Sequence, residues 1–138
     1  MHNELLKKKI VLCQESLASL AKIFPENVQA LLSDTTTLAA VERFFQIVVD
    51  SAVDINNELL LAKGKDRVDT YYSSFVALGD AGLVPRELAA ALAASVGLRN
   101  TLVHRYETID RDRMFFSMKK FIGLYQEYLV TVARIVAE

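Results

Sequence analysis

Apolar residues recur at intervals of three and four along most of this chain, and that spacing limits its fold more than any other feature. Leu38, Val41, Phe45, Val48, Ala52, Ile55 and Leu59 form the clearest run. At about 100° per residue these side chains gather on one helical face, which must then be covered by another surface. The same spacing runs from Asn3 to Phe24, and again through Met114, Phe115, Met118, Phe121, Ile122, Tyr125, Leu129, Val132 and Ile135. No stretch alternates polar and apolar residues as a half-buried strand would. There is no internal repeat and no low-complexity segment. The expected class is all-α.

Punctuation residues divide the pattern. Pro25 ends the first helix and is expected to open a short helical turn through Leu32, since proline is tolerated at a first helical position. Ser33-Asp34-Thr35-Thr36-Thr37 is a cluster of N-cap residues. The longest helix is predicted to follow it as far as about Lys63 and to stop at Gly64. Gly64 to Arg67 makes a polar link, and Thr70 to Leu78 reads as a short helix ended by Gly79 and Gly82. One helix is predicted from Pro85 to Tyr106, its alanine-rich start permitting close approach of a neighbour. Asp110 is the expected N-cap of a last helix from Arg111 to Ala137. With 138 residues, the chain suits a single domain over 1–138, an up-and-down bundle of four main helices with one or two short ones.

Composition adds two expectations. The 52% hydrophobic content is high for a small soluble chain, which predicts apolar surface buried between subunits, and so a homodimer. A net charge of −1 excludes a global basic field. Locally, Arg99 to Lys120 is rich in lysine and arginine while Thr35 to Leu61 is rich in acids. The single cysteine, Cys13, rules out an internal disulfide or a cysteine-based zinc cluster. It sits on an apolar helical face with Leu5, Leu6, Leu17 and Leu20 nearby, as a buried, inert thiol would. Lys7-Lys8-Lys9 interrupts any signal-like apolar run, and no apolar stretch of about 18 residues offers a membrane span. A cytoplasmic protein without membrane partners is expected.

The chemistry gathers near Arg99. On the predicted helix it shares a face with Leu88, Leu92, Val96, Val103 and Tyr106. A guanidinium in an apolar stripe is costly to bury without a partner, so Arg99 is expected to line a cleft or a subunit interface. Arg43, Gln46, Asp50, Asp54 and Asn57 step along a second face of the longest helix. Either that face is solvated, or Asp50 or Asp54 faces Arg99 and holds it, a job that carboxylate–guanidinium geometry suits; Asp54 is named as the supporting carboxylate, with the choice between the two left open. His104 lies roughly 140° further round the helix than Arg99, on a face with Asn100 one turn back. Either the helix loosens and swings His104 toward Arg99, or a second chain completes the site.

An arginine and a histidine so placed suit phosphodiester cleavage. Histidine moves a proton near neutral pH, and arginine stabilises the charge of a pentacoordinate phosphate. RNA brings its own nucleophile, the 2′-hydroxyl, so neither metal nor cofactor is called for. His2 and His104 are the only histidines, and no metal-ligand spacing is present. The competing readings are plain: His104 as a charge at a helix C-terminus, Tyr106 as an interface aromatic, Asn100 and Arg105 as solvated surface.

The stretch Arg99-Asn100-Thr101-Leu102-Val103-His104-Arg105-Tyr106 resembles the Arg-x4-His-x-Tyr signature of the HepT toxins, a branch of the HEPN superfamily. Val41-Glu42-Arg43-Phe44-Phe45-Gln46 and Phe75 to Gly82 resemble the family too, and the likeness extends from about Glu4 to Val136. It implies a HEPN-like helical fold and a metal-independent endoribonuclease toxin, with Arg99 and His104 catalytic; Asn100, at i, i+4 from His104, is the expected supporting residue, fixing the imidazole tautomer or the RNA backbone. It also implies an RNA substrate, a dimer that brings two motifs into one cleft, and an MntA-like minimal nucleotidyltransferase antitoxin that silences the toxin by attaching AMP to Tyr106. A different class is kept beside it: a non-catalytic nucleotide- or substrate-binding subunit of a two-component nucleotidyltransferase, in which Arg99 and His104 would hold phosphate.

Overall fold

The computed structural model describes residues 3–138; His2 lies outside them. Seven α-helices follow in order: α1 (Glu4–Ile23), α2 (Val28–Leu32), α3 (Thr35–Ala62), α4 (Tyr71–Asp80), α5 (Arg86–Ala93), α6 (Ser95–His104) and α7 (Arg111–Ala137). A single 3-10 turn, Tyr106–Thr108, joins α6 to α7. No strand occurs among the described residues. The bundle is all-α, as expected. Its long members are α1, α3 and α7, while α5 and α6 together occupy the place of the fourth.

The helices begin where side chains can take the free N–H groups of a first turn. Asn3 Oδ1 accepts from Leu6 N at 3.0 Å, Asp34 Oδ1 from Thr37 N at 3.1 Å, and Thr70 Oγ1 from Ser73 N at 3.0 Å. Asp110 Oδ1 accepts from both Asp112 N and Arg113 N. Gly64, at φ 75°, supplies the left-handed turn beyond α3. Two expectations need correction. Pro25 does not open α2; Asn27 caps it, its Oδ1 2.8 Å from Ala30 N, because an asparagine acceptor outweighs a preset φ. Gly79 does not end α4 but lies inside it, where an added Cβ would come within 2.8 Å of Ala89 Cβ. It is there to let α4 and α5 approach.

The predicted Pro85–Tyr106 helix is also corrected: it breaks between α5 and α6 and ends before Tyr106. At the break, Ser95 Oγ donates to Leu92 O at 2.6 Å and so accepts from the Tyr125 hydroxyl, 2.7 Å away. A buried serine thus ties the start of α6 to α7. A second buried chain runs from Tyr128 OH to Asn56 Oδ1 at 2.6 Å and from Asn56 Nδ2 to Ser74 Oγ at 3.1 Å. It ends with Ser74 Oγ donating to Tyr71 O at 2.8 Å. This network fixes the first turn of α4 on α3 and α7. Burial pushes the Tyr125 and Tyr128 phenols far above their usual range, so both stay neutral donors.

The core follows the stripe read from the sequence: Val41, Phe45, Val48, Ala52, Ile55 and Leu59 are all fully buried. Leu6, Leu17, Leu20, Phe75, Leu78, Leu92, Met118 and Val132 close around them. Cys13 is buried as expected, and burial pushes its thiol up to about 11, partly opposed by a hydrogen bond with Ser51. No helix among the described residues is long and apolar enough to cross a membrane.

Candidate functional site

Arg99 leaves α6 toward α3 and α4. Its Nε donates to Asp50 Oδ1 at 2.8 Å, and its Nη1 donates to Asn100 Oδ1 at 3.3 Å. The guanidinium lies over the Tyr71 ring, 4.6 Å from the centroid. Its flat face, one edge and one amino group are therefore held, and donors of its five-hydrogen fork remain for an anion. The side chain keeps 17% of its exposure and that of Asp50 keeps 36%. A pair this accessible contributes on the order of 1 kcal/mol or less to stability, so its main effect is to orient the guanidinium. Tyr71 responds to the same surroundings: burial, then the Asp50 carboxylate, raise its phenol above the usual value, with Arg99 pulling the other way.

Asp50 is thus the carboxylate that faces Arg99, and the assignment of Asp54 to that role is corrected. Asp54 lies one turn further along α3, where its Oδ2 meets Lys9 Nζ of α1 at 2.9 Å. The polar face of α3 is not simply solvated either. Asn57 is buried and accepts from Val68 N at 3.0 Å, which ties down the link to α4; Arg43 stays exposed beside Gln46.

α6 remains helical through His104 and breaks only at Arg105, whose φ of −139° and ψ of 46° leave the helix. His104 is exposed. The loosening that would have swung it toward Arg99 is absent, so within one chain the two side chains leave α6 in different directions. Asn100 turns its carbonyl oxygen to Arg99, not to the imidazole. A groove of about 260 Å³ lies between α6 and the start of α7, lined by Leu98, Thr101, Ile109, Arg113 and Met114 among others. It contains none of Arg99, His104 and Tyr106. Among the described residues, no three of His, Cys, Asp and Glu are grouped as a metal site would need.

Tyr106 departs furthest from expectation. It follows the break at Arg105 and opens the 3-10 turn, so it does not share a helical face with Arg99. Its hydroxyl donates to Glu42 Oε1 of α3 at 2.8 Å and accepts from Arg111 Nη2 of α7 at 2.7 Å. The Arg111 guanidinium also lies 5.0 Å from the ring centroid. Glu42 Oε2 and Arg111 Nε form an ion pair at 3.6 Å, and each is buried without a hydrogen-bond partner. Sequence reasoning passed over Tyr71, Glu42 and Arg111. A signal existed for Glu42: it adjoins Val41 and Phe45 in the apolar stripe, where a carboxylate demands a partner as Arg99 does.

A small all-α bundle carrying Arg-x4-His-x-Tyr across the end of α6 and the turn that follows it defines the class. A model of the family described as "Ribonuclease HepT-like" matches residues 13–132, and the chain belongs to that family. It is 29% identical over 125 residues to a tRNA nuclease HepT from Aphanizomenon flos-aquae (strain 2012/KM1/D3), covering 91% of this chain and 85% of the relative. It is 30% identical over 134 residues to a putative RNase from Archaeoglobus fulgidus, covering 96% and 93%. In fold it is similar to the tri-AMPylated HEPN toxin of Shewanella oneidensis, solved in complex with an MNT antitoxin. That likeness has a TM-score of 0.85 at 21% identity and covers 99% of this chain and 100% of that one.

Proposed function

We propose that the chain is a metal-independent endoribonuclease of a toxin–antitoxin pair, in which Arg99 and His104 cleave RNA. The observation that carries this reading is the held guanidinium: Asp50, Asn100 and Tyr71 fix three sides of Arg99 and leave the rest of its fork for a phosphate. His104, exposed at the helix end, exchanges protons with the 2′-hydroxyl or the leaving oxygen. Arg99 stabilises the extra negative charge on phosphorus. Because the two side chains diverge on a regular α6, the reading requires a homodimer whose two-fold axis brings His104 of one chain to the Arg99 of the other. The purified chain should cleave RNA in the presence of EDTA. Activity that disappears with EDTA and returns with magnesium would overturn the metal-free mechanism.

We further read Tyr106 as the site at which a minimal nucleotidyltransferase attaches AMP. Support comes from the AMP-bearing toxin that shares this fold and from the accessibility of Tyr106, a residue 45% exposed at the edge of the motif. Anionic AMP groups there would repel an incoming RNA phosphate and block it sterically. With the nucleotidyltransferase and ATP, intact mass should rise in AMP steps for the native chain and not for Tyr106→Phe. An undiminished ladder on that variant would place the modification elsewhere. The binding-subunit alternative predicts no RNA cleavage at all.

A further inference from the structure

The contacts of Tyr106 suggest more than an acceptor. A phenolic hydroxyl has one hydrogen to give and two lone pairs. Here the hydrogen is given to Glu42 Oε1, one lone pair takes the Arg111 Nη2 hydrogen, and one lone pair is left on a partly exposed ring. Glu42 keeps only 7% of its side-chain exposure, and its second oxygen has no hydrogen-bond donor. That oxygen faces Arg111 Nε at 3.6 Å, so Oε1, at 2.8 Å, is the carboxylate atom placed to take the Tyr106 hydrogen.

We propose that Glu42 is the proton acceptor for adenylyl transfer to Tyr106, with Arg111 holding the phenolic oxygen in place and drawing in the entering phosphate. In that step the free lone pair of Tyr106 Oη attacks the α-phosphorus of a nucleoside triphosphate, and an Oη–P bond forms. The bond from the α-phosphorus to the bridging oxygen breaks, and pyrophosphate leaves with the electron pair. The phenolic proton passes to Glu42 Oε1, 2.8 Å away. Arg111, over the ring face at 5.0 Å, stands where it meets the non-bridging phosphoryl oxygens. The toxin thereby supplies part of the chemistry of its own silencing. The inference rests on the reading of Tyr106 as the AMP acceptor.

Adenosine 5′-phosphorimidazolide tests the proton transfer without a partner enzyme, since it donates the same AMP group and releases imidazole. Peptide mapping then compares Tyr106 with Tyr72, which is more exposed at 57% and serves as an internal reference. In the native chain Tyr106 should be labelled faster than Tyr72. Glu42→Gln should lower Tyr106 labelling about tenfold or more without changing Tyr72, and its remaining rate should climb with pH more steeply than in the native chain as hydroxide takes over. A merely structural tie would slow labelling without altering that pH slope. Native labelling no faster than at Tyr72, or a Glu42→Gln chain that keeps the native pH slope whatever its rate, would overturn the proposal. If Glu42→Gln fails to fold, Glu42→Asp decides: it should label Tyr106 at an intermediate rate with the native pH slope, and an unchanged rate counts against the role. The two readings fail separately. An absent AMP ladder with the nucleotidyltransferase removes Tyr106 as the biological acceptor, whereas Glu42-independent labelling removes only the proton transfer.

Discussion

His104→Ala should lower RNA cleavage by about 10²–10⁴-fold, the usual cost of losing a general acid or base, with little change in melting temperature. The second half follows from its exposure at the end of α6: surface positions without such contacts change stability by only about 0.5 kcal/mol. Arg99→Ala should lose activity as severely. Arg99→Lys should remain impaired, because an ammonium has neither the Nε–H that meets Asp50 nor the flat face that lies on Tyr71. Initial rates on one RNA, measured beside thermal melts of each variant, check both parts. Cleavage by His104→Ala at the native rate would remove the imidazole from the mechanism.

Mixing the two inactive chains should restore activity. If each site joins Arg99 of one chain to His104 of the other, a dimer of Arg99→Ala with His104→Ala holds one doubly damaged site and one intact site. Random exchange of equal amounts makes about half the dimers mixed, so recovery should approach about a quarter of the native rate. The expectation follows from a helix that stays regular through His104 and points its two motif side chains apart. A mixture as inactive as its parts, after subunit exchange has been shown by mass, would place Arg99 and His104 on the same phosphate within one chain.

Much of this architecture was legible because the chain marks its helix ends chemically. Asp34, Gly64 and Asp110 stand where a cap acceptor or a positive φ is needed, and α7 begins and ends where its apolar pattern does. The break at Ala94 was not legible. It occurs in an alanine-rich run without glycine or proline, next to Ser95, whose partner Tyr125 lies thirty residues away. That error carried over to Tyr106, which helical arithmetic placed beside Arg99 although the chain leaves the helix at Arg105. Arg99 stands out by its cost within an apolar stripe, and the expectation that a carboxylate of α3 faces it is met by Asp50. Choosing Asp50 over Asp54 required knowing that α1 brings Lys9 to Asp54. Tyr71, Glu42 and Arg111 come from three separate helices, and only packing reveals what they touch.

In the proposed mechanism the RNA's own 2′-hydroxyl is the nucleophile, with Arg99 and His104 acting on the phosphate between them. The ends of the RNA fragments test this most directly. Cleavage by the native chain in EDTA should leave a 2′,3′-cyclic phosphate on one fragment and a 5′-hydroxyl on the other, and a single 2′-deoxy substitution at the cut position should stop it. Fragments with a 3′-hydroxyl and a 5′-phosphate, or cutting that continues past the 2′-deoxy position, would mean that water attacks instead and would contradict the account.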